Sequence, residues 1–296
     1  MAGDKGVRNI KDIDRQITLR RFLCLYSVYA RMDLDFLLRD AKISLMAIAA
    51  DMLSNIAGVS AIFLLAWRFD GVGGMSRWDV LFMLGFVTCV TGFYQLFFSG
   101  NNTGHISRRI GRGQIDHMMI QPLPLSVQLV TEGFIPFTGC QNLLFGIGVV
   151  FWALGGIGKK VGVIWIAGFA GYLILSIAVI VGLSYLFSSL AFKRQVAFEE
   201  ISTTVVDDLT GVLCNYPLSG MPIAVQFTLI TVVPAGLLGW FPACVLLGKT
   251  PLGLPALFPL AVAAVIWLLA FFAFKKGLKY YVTFGSNRYS RGGHRS

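Results

Sequence analysis

Apolar residues in this chain gather into long runs separated by short, polar and mostly basic segments. Six runs approach the roughly 20 residues needed to cross a bilayer as helix: Ile43–Trp67, Trp78–Ser99, Phe134–Leu154, Val161–Phe192, Val225–Leu247 and Leu254–Phe274. Ahead of them the pattern changes. From Ile17 to Leu38, apolar residues recur at helical spacing (Leu19, Phe22, Leu23, Tyr26, Tyr29, Met32/Asp33, Phe36, Leu37), with Arg20, Arg21, Arg31, Arg39 and Lys42 on the polar side. A stripe of that kind with a basic face predicts a helix lying in the membrane interface. The pattern therefore predicts an all-α integral membrane protein in three parts. Residues 1–42 form a cytoplasmic segment with the amphipathic helix, 43–274 a six-helix transmembrane domain, and 275–296 a basic tail.

Charges inside the runs test that division. Val161–Phe192 carries no charged side chain, whereas Ile43–Trp67 carries Asp51 and Asn55 near its middle. A carboxylate at the centre of a span costs about 2.5–3.5 kcal/mol on insertion scales unless it faces protein or water. The stretch Lys193–Met221 is the ambiguous one. Arg194, Glu199, Glu200, Asp207 and Asp208 argue for an aqueous connector. The rival assignment makes Gln195–Cys214 the fifth span and breaks Tyr216–Leu247 into two external half-helices at Pro222, Pro234 and Pro242. Either way both termini share one side.

Composition supports the membrane assignment and orients it. Hydrophobic residues make up 56% of the 296 and charged residues 14%, with a mean hydropathy of +0.71, too apolar for a soluble domain to bury. Of 25 Lys/Arg, 20 fall before the first run, after the second, at Lys193/Arg194 and in the tail; Arg68, Arg77, Lys159, Lys160 and Lys249 are left for the other face. Positive residues gather on the cytoplasmic side, so both termini face the cytoplasm and the protein is a multi-pass cell-membrane protein. The net charge of +10 then meets anionic lipid headgroups rather than nucleic acid. Basic residues up to Arg21 followed by Phe22–Ala30 loosely imitate a signal peptide, but Asp4, Asp12, Asp14 and two tyrosines spoil the match. The five cysteines have neither CxxC nor metal-ligand spacing.

Catalytic motifs do not emerge. Gly248-Lys249-Thr250 imitates the end of a Walker A loop, yet the leading glycine is Ala243 and an apolar helix precedes it. The three histidines, His105, His117 and His294, lack metal-ligand spacing, and neither HExxH nor GxSxG occurs. No cofactor is expected. Asp51, Asn55 and Glu132 are candidates for a translocation path or proton relay, because intramembrane carboxylates are functional candidates by default; a structural hydrogen bond between spans is the plainer alternative. The loop 100–125 is more informative. Its segment GQIDHMMIQPLP has a possible short helix at Gln114–Ile120, glycine before it and Pro122 and Pro124 after it. Ile115, Met118, Met119 and Ile120 would expose apolar surface in water, so the segment meets either the membrane or a partner.

At these residues the chain resembles the permease subunits of ABC-2-type transporters, in their six-span branch. The loop Ile110-Gly-Arg-Gly113-Gln-Ile-Asp116 with Met118, Met119, Ile120 and Pro122 carries the first part of the likeness. The proline-punctuated Tyr216-Pro217-Leu218-Ser219, Val233-Pro234-Ala235-Gly236 and Phe241-Pro242-Ala243 carry the second. Gly277-Leu278-Lys279-Tyr280-Tyr281 with Gly285-Ser286 carries the third. The resemblance implies a type V exporter-like architecture and an energy-coupled transporter whose ATP is bound by a separate cytoplasmic ABC ATPase. It further implies a second permease, identical or related, and export; the apolar wall and few charges suggest a lipophilic or amphipathic compound as cargo. Ile110, Gly113, Gln114, Ile115, Asp116, Met119 and Pro122 would then form the ATPase-coupling loop. By the same analogy 195–214 becomes the fifth span, against the aqueous-connector assignment, and the choice between 195–214 and 225–247 stays open. The other function class is an ion-gradient-driven secondary transporter or channel working through Asp51 and Glu132. A membrane-embedded lipid enzyme is the third, and it lacks convergent catalytic groups.

Overall fold

The computed structural model describes residues 19–99, 106–111, 113–121, 123–131, 133–194, 198, 201–202, 204–249 and 251–285. Among them the chain is helical with no sheet beyond a single bridge, Val72 to Met75. Helix α1 is Leu19–Arg39, and Asp40 (φ −119°, ψ 47°) breaks it from α2, Ala41–Arg68. Helix α3, Arg77–Tyr94, starts on a capping box: the Ser76 hydroxyl accepts from the Asp79 amide and the Asp79 carboxylate accepts from the Ser76 amide. It ends in a π-helical turn, Gln95–Ser99. Three short helices follow: α4 Ile106–Gly111, α5 Gln114–Ile120 and α6 Leu125–Thr131. Then come α7 Gln141–Ile157, α8 Val163–Ser188 with a 3₁₀ turn at Ser189–Phe192, and α9 Thr210–Leu213 behind a π-helical turn at Thr204–Leu209. The chain closes with α10 Ile223–Thr231, a 3₁₀ turn Pro234–Leu237, α11 Trp240–Leu246 and α12 Phe258–Phe284.

Helices α2, α3, α8 and α12, the second and third counted with their closing turns, are long and apolar enough to cross a membrane. Of these α3 is central. Its partner α7 lies against it backbone to backbone, because Gly85 and Gly92 face Val150 and Leu143 while Gly146 faces Cys89. Small residues at such a seam let helices approach closely where lipid supplies no hydrophobic drive between them. Gly156 lies under the Trp78 ring, but Gly148 and Gly155 face open space.

Contacts sort the remaining segments between two ends of the bundle. At one end the Gly73 backbone meets Gly220 so closely that a Cβ on Gly73 would lie 2.7 Å from the Gly220 nitrogen. There, too, Lys249 Nζ sits 2.9 Å from Asp79 Oδ2, and the Leu246 carbonyl accepts from Lys159 Nζ (2.6 Å) and Trp165 Nε1 (3.0 Å). At the opposite end Ile106, Ile110, Ile115, Met118 and Leu129 pack with Ala191, Phe192 and Tyr281. We refer to these as the Gly73 end and the Phe192 end.

This sorting bears on two expectations. The run Val225–Leu247 is not one helix: α10 and the Pro234–Leu246 segment are bent by 73°. Both flanks, Gly220 and Lys249, lie at the Gly73 end, while the middle reaches inward, where the Leu237 carbonyl accepts from Ser176 Oγ at 2.9 Å. Pro234 and Pro242 cannot donate to a continuous helical ladder, which accounts for the break. The stretch Lys193–Met221, open between an aqueous connector and a fifth span, packs into the bundle at several of its described residues. The Ser202 and Ser188 hydroxyls are 3.4 Å apart at the Phe192 end, and Val206, Thr210, Cys214 and Leu218 are buried on the way to Gly220. The stretch therefore runs from one end of the bundle to the other. Residues 195–197, Glu199, Glu200 and the side chains of Asp207 and Asp208 lie outside the description.

Two boundaries shift as well. The expected run Phe134–Leu154 becomes a helix only at Gln141, because 134–140 is a turn held by other contacts. The last helix continues past Phe274 to Phe284, so Lys275, Lys276 and Lys279, assigned to the tail, are helical.

Candidate functional site

The three short helices at the Phe192 end are built on a small apolar core. Isoleucines 106 and 110 sit one turn apart on α4 and point inward; Ile115 and Met118 do the same on α5. Phe192 and Tyr281 close the core from below, with ring centroids 5.7 Å apart, and Phe274 meets Phe192 at 5.2 Å. Gly277 makes this possible, since a Cβ there would lie 2.8 Å from the Ser189 carbonyl and 2.6 Å from the Phe192 ring. The closing Gly277–Tyr281 motif is thus the floor on which the loop stands.

Gly113 turns α4 into α5. It has φ +69°, a left-handed conformation that favours glycine, and its amide donates to the Ile110 carbonyl at 3.0 Å. From α6, Gln128 Nε2 donates to the carbonyls of Met118 (2.8 Å) and Leu123 (2.7 Å), tying down the end of α5. With Ile115 and Met118 turned inward, the helix presents Gln114, Asp116, His117, Met119 and Ile120 outward, and Ile120 is 81% exposed. The predicted loop residues therefore divide. Ile110 and Ile115 anchor, Gly113 bends, and Gln114, Asp116 and Met119 face out; Pro122 lies outside the described residues.

The predicted path residues divide too. Asn55 Nδ2 donates to Asn142 Oδ1 at 2.7 Å, and Asn142 Nδ2 in turn donates to Gln95 Oε1. This uncharged seam joins α2, α7 and the π turn of α3. It borders a cavity of about 250 Å³ lined by Ser54, Asn55, Thr88, Thr91, Gln95 and Asn215. Asp51 does not line it. That side chain is exposed one turn along α2, and only its backbone carbonyl takes part, accepting from Asn55 at 2.8 Å. Glu132 lies outside the described residues. Asn142 and Gln95 lie inside the runs Phe134–Leu154 and Trp78–Ser99, and their only sequence signal is that of uncharged amides within apolar stretches.

A third anchor also went unassigned. Asp33 on α1 is buried, and its carboxylate accepts from the amides of Phe137 (2.7 Å) and Thr138 (3.1 Å) and from Thr138 Oγ1 (2.6 Å). Tyr26 stacks edge-on against Phe134 at 4.9 Å. Together they bind α1 to the turn that precedes α7. The signal was present: Asp33 shares the apolar stripe with Met32, and a carboxylate in such a stripe needs partners.

The profile of the ABC-2 family transporter proteins matches residues 52–285, most of the chain. This chain belongs to that family. No curated protein and no solved structure matches it significantly. As an ABC-2 permease it is a multi-pass membrane protein and the transmembrane component of a transporter, not the ATPase. Family membership also implies an ABC ATPase partner.

Proposed function

We propose that this ABC-2 permease is the membrane half of an ATP-driven exporter, and that the outward face of α5 is the surface its ATPase grips. The observation carrying this is the division of α5: Ile115 and Met118 are locked inward, while Met119 and Ile120 stand exposed beside Asp116 and His117. An apolar tip ringed by polar groups on a firmly seated helix suits a groove in a partner. Closure of the motor on ATP would push α5 against Phe192 and Tyr281, and so tilt α8 and α12 between two arrangements of the bundle. The coupling needs a separate ATPase, with ATP bound there.

In this arrangement the permease crosses the membrane six times, by α2, α3, α7, α8, the stretch 201–218 and α12. The distribution of Lys/Arg supports a cytoplasmic Phe192 end and cytoplasmic termini. Helices α10 and α11 then form a re-entrant pair entering from the outer face, as their shared Gly73-end flanks support. Helix α1 lies at the inner interface, with Leu23, Met32 and Phe36 exposed for lipid. A second permease, identical or related, would close the cavity beside Asn55. Val59, Ile62 and Val87 lie beside the amides and hydroxyls of that cavity, a mixed lining that suits an amphipathic cargo. An ion-gradient transporter has less support: the cavity lining holds Ser, Thr, Asn and Gln side chains, and Asp51 stands away from it.

Co-purification tests the docking surface. The native chain is expected to retain its cognate ATPase, and Ile120→Arg and Asp116→Arg to lose it while keeping a monodisperse, folded permease. Retention by both variants would overturn the assignment of α5.

A further inference from the structure

Away from α5 and the seam, a groove of about 760 Å³ opens on the side of the bundle between α6, α8 and α12. Leu129, Ala178, Tyr185, Trp267 and Phe274 line its wall, and Lys275 stands at one mouth. We propose that this groove seats an anionic phospholipid of the inner leaflet, with an acyl chain along α8 and α12 and its phosphate at Lys275.

On α12 the lining runs from Trp267 to Leu278, and on α8 from Ile174 to Tyr185. At 1.5 Å of rise per residue each wall is about 16 Å long, close to half of the ~30 Å hydrocarbon core. The groove is one leaflet deep. Its lysine mouth lies at the Phe192 end, since Phe274, adjacent to Lys275, touches Phe192.

The wall is almost wholly apolar, and its indole donor is already engaged, Trp267 Nε1 donating to the Ala178 carbonyl at 2.9 Å. Such a wall suits a hydrocarbon chain and offers little to a polar cargo. At the mouth the order reverses. Lys275 lines it, and Lys276 and Lys279 follow within the next turn, all exposed. Basic side chains at the inner surface attract anionic headgroups, and neutral headgroups lack that attraction.

Leu125, Ser126 and Leu129 bring α6 into the wall, and α6 carries the Gln128 that ties down α5. A lipid seated here braces the base of α5 against α8 and α12, making the loop responsive to inner-leaflet composition. The siting rests on the membrane orientation proposed above, but not on the ATPase assignment.

The test uses the purified full chain without any ATPase, exposed to equal phosphatidylglycerol and phosphatidylcholine of matched chains and read by native mass spectrometry. The native chain retains phosphatidylglycerol in about fivefold preference, and Lys275→Ala, at the lysine that lines the groove, removes most of the preference. Ala178→Phe, which fills the groove, removes retention of both lipids. A second readout does not depend on those variants folding: brominated-chain phosphatidylglycerol quenches a tryptophan component that is missing in Trp267→Phe. Equal retention of the two lipids by the native chain, a preference undiminished in Lys275→Ala, or quenching unchanged in Trp267→Phe would overturn the proposal. Loss of ATPase binding in Ile120→Arg would leave these lipid results unaltered, so the two readings fail separately.

Discussion

Asp33 and Thr138 hold α1 to the body of the protein: the Thr138 hydroxyl donates to Asp33 Oδ1 at 2.6 Å, and the Thr138 amide donates to Oδ2 at 3.1 Å. With the Phe137 amide added, a buried carboxylate collects three donors from one turn. A charge-assisted hydrogen bond contributes about 1.5–3 kcal/mol, and removing its acceptor strands the donors. Asp33→Ala is therefore expected to destabilise the protein by about 3 kcal/mol, and Asp33→Asn by less, since an amide oxygen still accepts. Denaturant unfolding in detergent micelles measures the difference. Limited proteolysis should then cut within Leu19–Arg39 in Asp33→Ala and spare the native chain.

Gln128 is the corresponding tie for α5. Gln128→Leu leaves the Met118 and Leu123 carbonyls without their side-chain donor. A buried acceptor stranded in that way costs about 1–3 kcal/mol. Because the loss falls on one end of one helix, global stability should drop modestly while ATPase stimulation in the assembled transporter drops more. A parallel fall in both would show that Gln128 serves folding alone.

The position of Pro222 separates the two topologies. With 201–218 crossing and α10–α11 re-entrant, Pro222→Cys reacts with a membrane-impermeant maleimide from outside, as Lys160→Cys does, and Lys193→Cys does not. If 225–247 were a span reached from an aqueous connector, Pro222→Cys would be protected in intact cells and labelled only after lysis.

The polar seam should matter to transport in a way Asp51 does not. Asn142→Leu removes the residue that links Asn55 to Gln95, leaving two amides without that partner at the α2–α3–α7 junction. A fall in stability of about 1–3 kcal/mol and a loss of ATP-driven flux are expected. Asp51→Asn should leave ATP-driven flux unchanged, because the carboxylate lines no part of the cavity. Loss of flux in Asp51→Asn would return the ion-coupled alternative to consideration.

Much of this architecture can be read from periodicity and charge. The apolar runs locate α2, α3 and α8 to within a few residues, and glycine before and proline after locate α5 at Gln114–Ile120. What resists such reading depends on partners distant in sequence. A hydropathy window treats Val225–Leu247 as one run, because it does not register that both flanks dock on the Gly73 end. The same window penalises 201–218 for its acids, although Val206, Thr210 and Cys214 are buried. The α7 boundary slips for a related reason: Phe134–Gly139 is apolar enough to continue a helix, but Asp33 captures its amides into a turn. Within α5, composition shows four apolar side chains, and only the fold shows which two are anchors.

The claim on which this account turns is that the exposed tip of α5 touches the motor. A photoreactive amino acid placed at Ile120, in a complex verified to hydrolyse ATP and transport, measures it directly. The account predicts a crosslink to the ATPase from position 120 and none from Ile166, exposed along α8. A working complex that yields no ATPase crosslink from position 120 would contradict it.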